Sequence, residues 1–209
     1  MTRLASLIVT LLVPLWCFSA PLDVNQLFVF GDSLSDVGNT NTLTLGFSPG
    51  SNYDHGRYTD GPDTNPATRG PFGVWVEQLA PKLNVPVPAS SLNGGTDYAF
   101  GGADTAGGVL IPSVASQVQT FLGDHPAAPS HALYTFWAGA NDIADGMNPL
   151  TAANNIESDI RILSAAGAKY FVWLNLPPLG YTPDAIAAGD SALATEASNA
   201  FNLEWQTDI

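Results

Sequence analysis

Cysteine is nearly missing from this 209-residue chain: the one present, Cys17, falls in an N-terminal apolar stretch. Residues 1–20 carry a single Arg at position 3, an apolar run over 4–18, and Ser19-Ala20 ahead of polar PLDVNQ. That is the architecture of a secretory signal peptide. The run is shorter than the roughly 20 apolar residues a membrane span requires, so no stable membrane anchor is expected. Cleavage would leave a chain with no thiol, which excludes disulfides, a cysteine nucleophile and thiolate metal sites. The expected location is outside the cell, or the periplasm if the source is bacterial. Basic residues are scarce as well. Loss of the leader with Arg3 leaves 5 basic against 19 acidic residues, a net charge of −14 with histidine neutral. Such a surface disfavours nucleic acid and anionic membranes as partners.

Metal and phosphate motifs are also lacking. Residues 52–65 hold several Asp and Asn but not the EF-hand order with its closing glutamate. GGADTAGG, residues 101–108, lacks both the Lys-Ser/Thr of a P-loop and the GxGxxG order of a dinucleotide site. No metal and no cofactor are expected.

What is present is a foldable domain. About 189 residues remain after the leader, 45% of the chain is hydrophobic and five residues are Trp, a composition opposed to disorder. Apolar β-type runs at 26–30, 132–137 and 170–176 alternate with helical patterns. Those helices are predicted near 72–83 (Val76, Leu79, Leu83), 111–122 (Val114, Val118, Phe121), 150–166 (Ile156, Ile160, Leu163, stopped by Gly167) and 191–206 (Leu193, Ala197, Ala200, Trp205). The alternation predicts α/β architecture with a doubly wound parallel sheet in one domain, residues 21–209. A polar loop over 38–71 is long enough to overhang a cleft, with Tyr53, Tyr58 and Phe72 as lining.

Three turns each follow a plausible strand. The first, LFVFGDSLSDVGN at 27–39, ends an apolar strand in Gly31-Asp32-Ser33. Glycine permits a sharp bend there, and Ser33 falls at the carboxyl end of the strand, where open α/β sheets bind ligands. Gly-Asp-Ser alone fits equally a turn in which Asp32 or Ser33 caps a helix. It is not the GxSxG elbow, because Ser35 occupies the last glycine's place. The second turn is DYAFGGA at 97–103 and the third WAGAND at 137–142.

In that order and spacing, the three turns resemble the GDSL or SGNH family of serine esterases and lipases, over residues 27 to about 205. The resemblance implies a three-layer α/β/α, flavodoxin-like fold and ester hydrolysis through an acyl-serine intermediate. Ser33 would be the nucleophile and supply the first oxyanion N–H, Gly102 the second, and the Asn141 side-chain amide a third donor. Gly101 competes with Gly102. Counting from Asp97, which stands where the family usually has asparagine, favours Gly102. The substrate implied is a small-molecule, lipid or carbohydrate ester.

The family's Asp-x-x-His pattern, which supplies the base, occurs nowhere in this sequence. The three histidines, His55, His125 and His131, read as surface loop residues, the last two at the entering end of a strand. We therefore expect an incomplete triad, with the last strand and helix of the fold missing from a C-terminally shortened chain, and impaired activity. The alternative is a catalytically dead secreted domain that binds esters or glycans. Oligomeric state is not legible.

Overall fold

The computed structural model describes residues 23–59 and 73–208. The leader at 1–20 and Phe72 lie outside the described residues. Three parallel strands, β1 (Gln26–Gly31), β2 (Ala132–Trp137) and β3 (Tyr170–Trp173), pair in the order β1-β2-β3. The register sets Leu27 against Leu133 and Phe30 against Phe136, then Phe136 against Trp173. Along the other edge of β1 runs the segment 97–100. Tyr98 N–H donates to Val29 O (2.8 Å) and Phe100 N–H to Gly31 O (3.1 Å).

Strand periodicity sends alternate residues of β1 to opposite faces. Phe28 and Phe30, with Tyr134 and Phe136, pack beneath α3 (Val114–Asp124), α5 (Pro149–Ala165) and α7 (Ser191–Asp208), which contribute Phe121, Ile156, Leu163 and Phe201. Phe121 meets Phe28 edge-on at 4.9 Å between ring centres. Leu27, Val29 and Leu133 face α2 (Trp75–Leu83) through Val76 and Ala80. The result is the expected α/β fold, a parallel sheet with helices on both faces. Full burial of each large apolar side chain contributes about 1.5–3 kcal/mol, so the aromatic face is the heavier half of the core.

Local signals set the helix ends. Asn148 caps α5 by accepting from Leu150 N–H (2.9 Å), and Pro149 fills the first helical position, where its missing N–H is no loss. Gly167 stops α5 in a positive-φ conformation, as the sequence predicts.

Several elements depart from expectation. β3 ends at Trp173 rather than at 176. Leu174 N–H makes the last ladder bond to Phe136 O, and the N–H and O of Leu176 are taken instead by the Asn202 side chain (2.7 and 2.8 Å). The buried face of α7 carries Ser198 and Phe201, while Leu193 is exposed. Packing against the loop after β3 turns that helix away from its simplest apolar stripe. On α2, Val76 and Ala80 are buried, whereas Leu79 and Leu83 are only half-buried. Three short helices, α1 (Asn39–Leu43), α4 (Ala140–Ala144) and α6 (Pro183–Ala188), lie in segments read as loops.

Candidate active site

The carboxyl end of the sheet is where the three turns emerge. Gly31, the last residue of β1, pairs with Trp137 of β2, and a Cβ on Gly31 would fall 2.3 Å from Trp137 O. Only glycine fits so close an approach. Both main-chain polar groups of Gly31 are held by Gln117 on α3. Its Oε1 accepts from Gly31 N–H and its Nε2 donates to Gly31 O, each at 2.9 Å. Beyond Gly31 the chain bends at once, Ser35 and Asp36 N–H both donating to Asp32 O (3.1 Å). No helix starts at Asp32 or Ser33. Ser33 is half-buried, and neither its N–H nor its Oγ has a hydrogen-bond partner among the described residues.

Buried carboxylates join this bend to the second turn. Asp36 Oδ1 accepts from the N–H groups of Gly38 and Asn39 (2.7 and 2.6 Å), and its Oδ2 from those of Thr40 and Gly101 (3.1 and 2.9 Å). Asp97 Oδ2 accepts from Val37 N–H (2.7 Å), while Asn39 Nδ2 donates to the carbonyls of Asp97 and Ala99 (2.8 and 2.9 Å). Burial, then the neighbouring Asp36 charge, holds the Asp97 carboxyl well above the usual carboxylate range. Asp36 and Asn39 thus brace their own turn and also reach across to residues 97–101.

The third turn grips the second. Asn141, half-buried on α4, donates from Nδ2 to Ala103 O (2.9 Å). Its neighbour Asp142 is fully buried and accepts from Thr105 Oγ1 (2.6 Å) and Thr105 N–H (2.9 Å). Asn155 of α5 backs that hydroxyl at 3.0 Å. Burial raises the Asp142 carboxyl despite these donors. Burial also pushes Asp32, beside Ser33, up to about 7, partly offset by the N–H of Leu34. Asp32 N–H donates to Trp137 O (3.2 Å), which closes the connection between first and third turns.

Gly101 and Gly102 differ sharply. Gly101 is buried, its N–H is engaged by Asp36 and Thr40, and a Cβ there would lie 2.2 Å from the ring of Tyr58. Gly102 is exposed at φ +83 and its N–H has no partner among the described residues. Tyr58 belongs to the long loop, which is clamped to α2 by a two-pronged contact of Arg57 with Glu77 (2.8 and 2.7 Å). In the described part of that loop Tyr58 lies over the second turn, whereas Tyr53 is exposed.

The histidines are spread apart. His131 pairs with Asp23 (3.1 Å) at the entering end of the sheet. His125 is half-buried against Phe28 and Phe121, at 5.2 and 4.8 Å between ring centres, and is not the surface residue expected. An edge seat on two aromatic rings draws it inward. His55 pairs through Nδ1 with Asp54 on the loop that carries Tyr58. Among the described residues no cluster of three His, Cys, Asp or Glu is arranged to hold a metal.

Beside Asn141 lies a trough of about 600 Å³ walled by Ile143 of α4, Leu179, Ala185 of α6, and Leu193 and Ala194 of α7. Its walls are mostly alanine and aliphatic, with Thr182, Asp184 and Asp190 supplying polar groups. The sequence held no signal for it, since the walls come from three separate helices. Gln117, Tyr58, Thr105 and Asp142 were likewise invisible as site-builders, because each acts on a residue at least 37 positions away.

A family model described as GDSL-like Lipase/Acylhydrolase matches residues 27–206. The chain is 31% identical over 170 residues to "Lipase 1" of Photorhabdus luminescens, covering 76% of this chain and 23% of that protein. It is 31% identical over 169 residues to a phosphatidylcholine-sterol acyltransferase of Aeromonas hydrophila, covering 77% and 47% respectively. Thus the chain spans less than half the length of these two relatives. A carbohydrate acetylesterase family member from Sinorhizobium meliloti shares the fold at 20% identity and a TM-score of 0.52, over 88% of this chain and 78% of that one.

Proposed function

Because the chain belongs to the GDSL-like lipase/acylhydrolase family, we propose that it is a serine ester hydrolase whose nucleophile is Ser33. In this reading the Ser33 Oγ attacks the ester carbonyl. Negative charge on the carbonyl oxygen is met by the N–H groups of Ser33 and Gly102 and by the Asn141 amide. The observation that carries the reading is the closed set of hydrogen bonds tying all three turns together at one end of the sheet. It supports Gly102 over Gly101 as donor, because the Gly101 N–H already has two acceptors.

The trough beside Asn141 supports an ester with an aliphatic acyl chain. Its volume is in the range of small-molecule sites, and apolar walls stabilise each buried methylene by about 0.8 kcal/mol. Octanoyl esters are therefore the preferred class over acetyl esters. The leader-like residues 1–20, which lie outside the described residues, support secretion as the location of this activity.

Activation of the serine is the weak step. His125 and His131 pack at the other end of the sheet. A serine site without its base retains oxyanion stabilisation and binding, roughly three or more powers of ten below the complete triad. That observation favours a second reading, a non-catalytic secreted domain that binds esters or glycans. Hydrolysis of p-nitrophenyl octanoate and acetate by the parent chain, Ser33→Ala and His55→Ala separates them. Slow turnover lost in Ser33→Ala supports the enzyme, and further loss in His55→Ala makes the Asp54–His55 pair the base. Equal rates in parent and Ser33→Ala refute the enzyme and leave the binding domain.

A further inference from the structure

Six large apolar side chains stand out from the loops and the short helix α6 around the site: Leu45, Phe47, Val109, Leu110, Tyr181 and Ile186, each between 60% and 100% exposed. They form three pairs, and each pair belongs to a connection that leaves the carboxyl end of the sheet. Phe47 precedes Ser48, whose Oγ lies 2.9 Å from the Tyr58 hydroxyl, and the Tyr58 ring lies on Gly101. Val109 and Leu110 follow the Gly102 turn, and the loop returns at Pro112, whose carbonyl accepts from the same Gln117 amide that holds Gly31. Tyr181 and Ile186 flank Thr182 and Ala185, which wall the trough beside Asn141.

The tips at 44–50, 106–112 and 177–183, which carry all of these side chains but Ile186, contain no charged residue; Asp184 separates the last tip from Ile186. A tip of this kind enters an apolar phase without desolvating a charge, the dominant penalty for such entry. The charges that flank these tips in sequence are acidic: Asp54, Asp104, Asp184 and Asp190. Among the described residues of these connections, Arg57 is held by Glu77. Anionic headgroups are repelled by that arrangement and by the net charge of −13.

We propose that these three tips form an apolar ring that docks the site opening onto the surface of an uncharged or zwitterionic lipid or ester aggregate. The ring extends the ester-hydrolase reading to insoluble substrate, and its own test needs no turnover. A second copy of the chain seated on the ring would instead cover the opening.

The test is partition of the full chain onto phosphatidylcholine vesicles and onto phosphatidylglycerol vesicles, followed by sedimentation. Residues 1–22 are common to every variant, so comparison isolates the tips. Binding to phosphatidylcholine should exceed binding to phosphatidylglycerol. Phe47→Asp, Leu110→Asp and Tyr181→Asp should each weaken it fivefold or more, with melting curves unchanged because all three side chains are exposed. Leu203→Asp, ten residues below Leu193 on α7 and so roughly 15 Å along the helix, should leave it unchanged. As a second measure, brominated phosphatidylcholine should quench added fluorescence in Phe47→Trp and not in Leu203→Trp. Ser33→Ala should bind as the parent does, whereas failure of the ester reading would appear only as Ser33-independent hydrolysis of a soluble ester. The proposal is overturned by preference for phosphatidylglycerol, by equal quenching in the two tryptophan variants, or by dimerisation that Leu110→Asp abolishes.

Discussion

Replacement of Asp159 by Asn tests whether an interior carboxyl opposes folding at neutral pH. Asp159 on α5 is 3% exposed, and its Oδ2 has no hydrogen-bond partner among the described residues. It borders a polar recess formed with Ser113, Ser116, Gln119 and Asn155, and burial pushes it up to about 7. An unfolded carboxyl titrates near 4, so between about pH 4 and 7 the folded chain holds a proton that the unfolded chain has released. Because the folded value is raised, this group's contribution is fully present below about pH 4 and is lost as pH rises to about 7. Three units at about 1.4 kcal/mol each give at most ~4 kcal/mol, lowered by whatever water the recess admits. Asn has the same shape and no charge. It carries a fixed penalty of about 1–3 kcal/mol for a buried amide, the same at every pH. In urea titrations the variant should therefore be the less stable protein at pH 4.5. Relative to the parent it should gain about 2–4 kcal/mol by pH 8. A difference between the two proteins that does not vary with pH would refute the reasoning.

Gly101→Ala drives a methyl group into the Tyr58 ring and should destabilise by about 1–3 kcal/mol, measured by thermal unfolding. Tyr58→Ala combined with it should recover part of the loss, and strict additivity would show that the ring is not the obstacle. Gln117→Ala strips the acceptor from the buried Gly31 N–H and should cost about 2 kcal/mol, with Ser33-dependent ester hydrolysis falling alongside. Thr105→Val removes the hydroxyl bonded to Asp142 and should lower that hydrolysis more than it lowers stability, about 1–2 kcal/mol by urea titration. Phe121→Ala opens a cavity between Phe28, Phe30 and Tyr134 and should cost about 3–5 kcal/mol by urea titration, the largest single loss in the aromatic layer.

The strand and helix order was legible because each long element carries its own period. Leu27 to Phe30 is an unbroken apolar run, Ala132 to Trp137 is interrupted only by Thr135, and α3 and α5 show buried stripes at Val114, Val118 and Phe121 and at Ile156 and Leu163. The face of α7 was not, because Leu193 has the spacing of a core residue but meets only the open trough. Helices of five or six residues such as α1 and α4 are too short to show a period at all. The three motif turns could be picked out by residue type. Their fastening could not, since Asp36 to Gly101, Asn39 to Ala99 and Thr105 to Asp142 are bonds between segments that only the folded sheet brings together. A buried Asp has the same letter as a solvated one, and nothing local separates them.

The fastening has a mechanical consequence. First turn holds second, second holds third, and third returns to the first through Trp137, a triangle with no loose corner. A triangle cannot shear without stretching a side, so a push on any one turn is shared by the other two. Adaptation to ligands of different size is left to what hangs outside that frame: the arch carrying Tyr58 and the short helix α6 on the trough's outer wall.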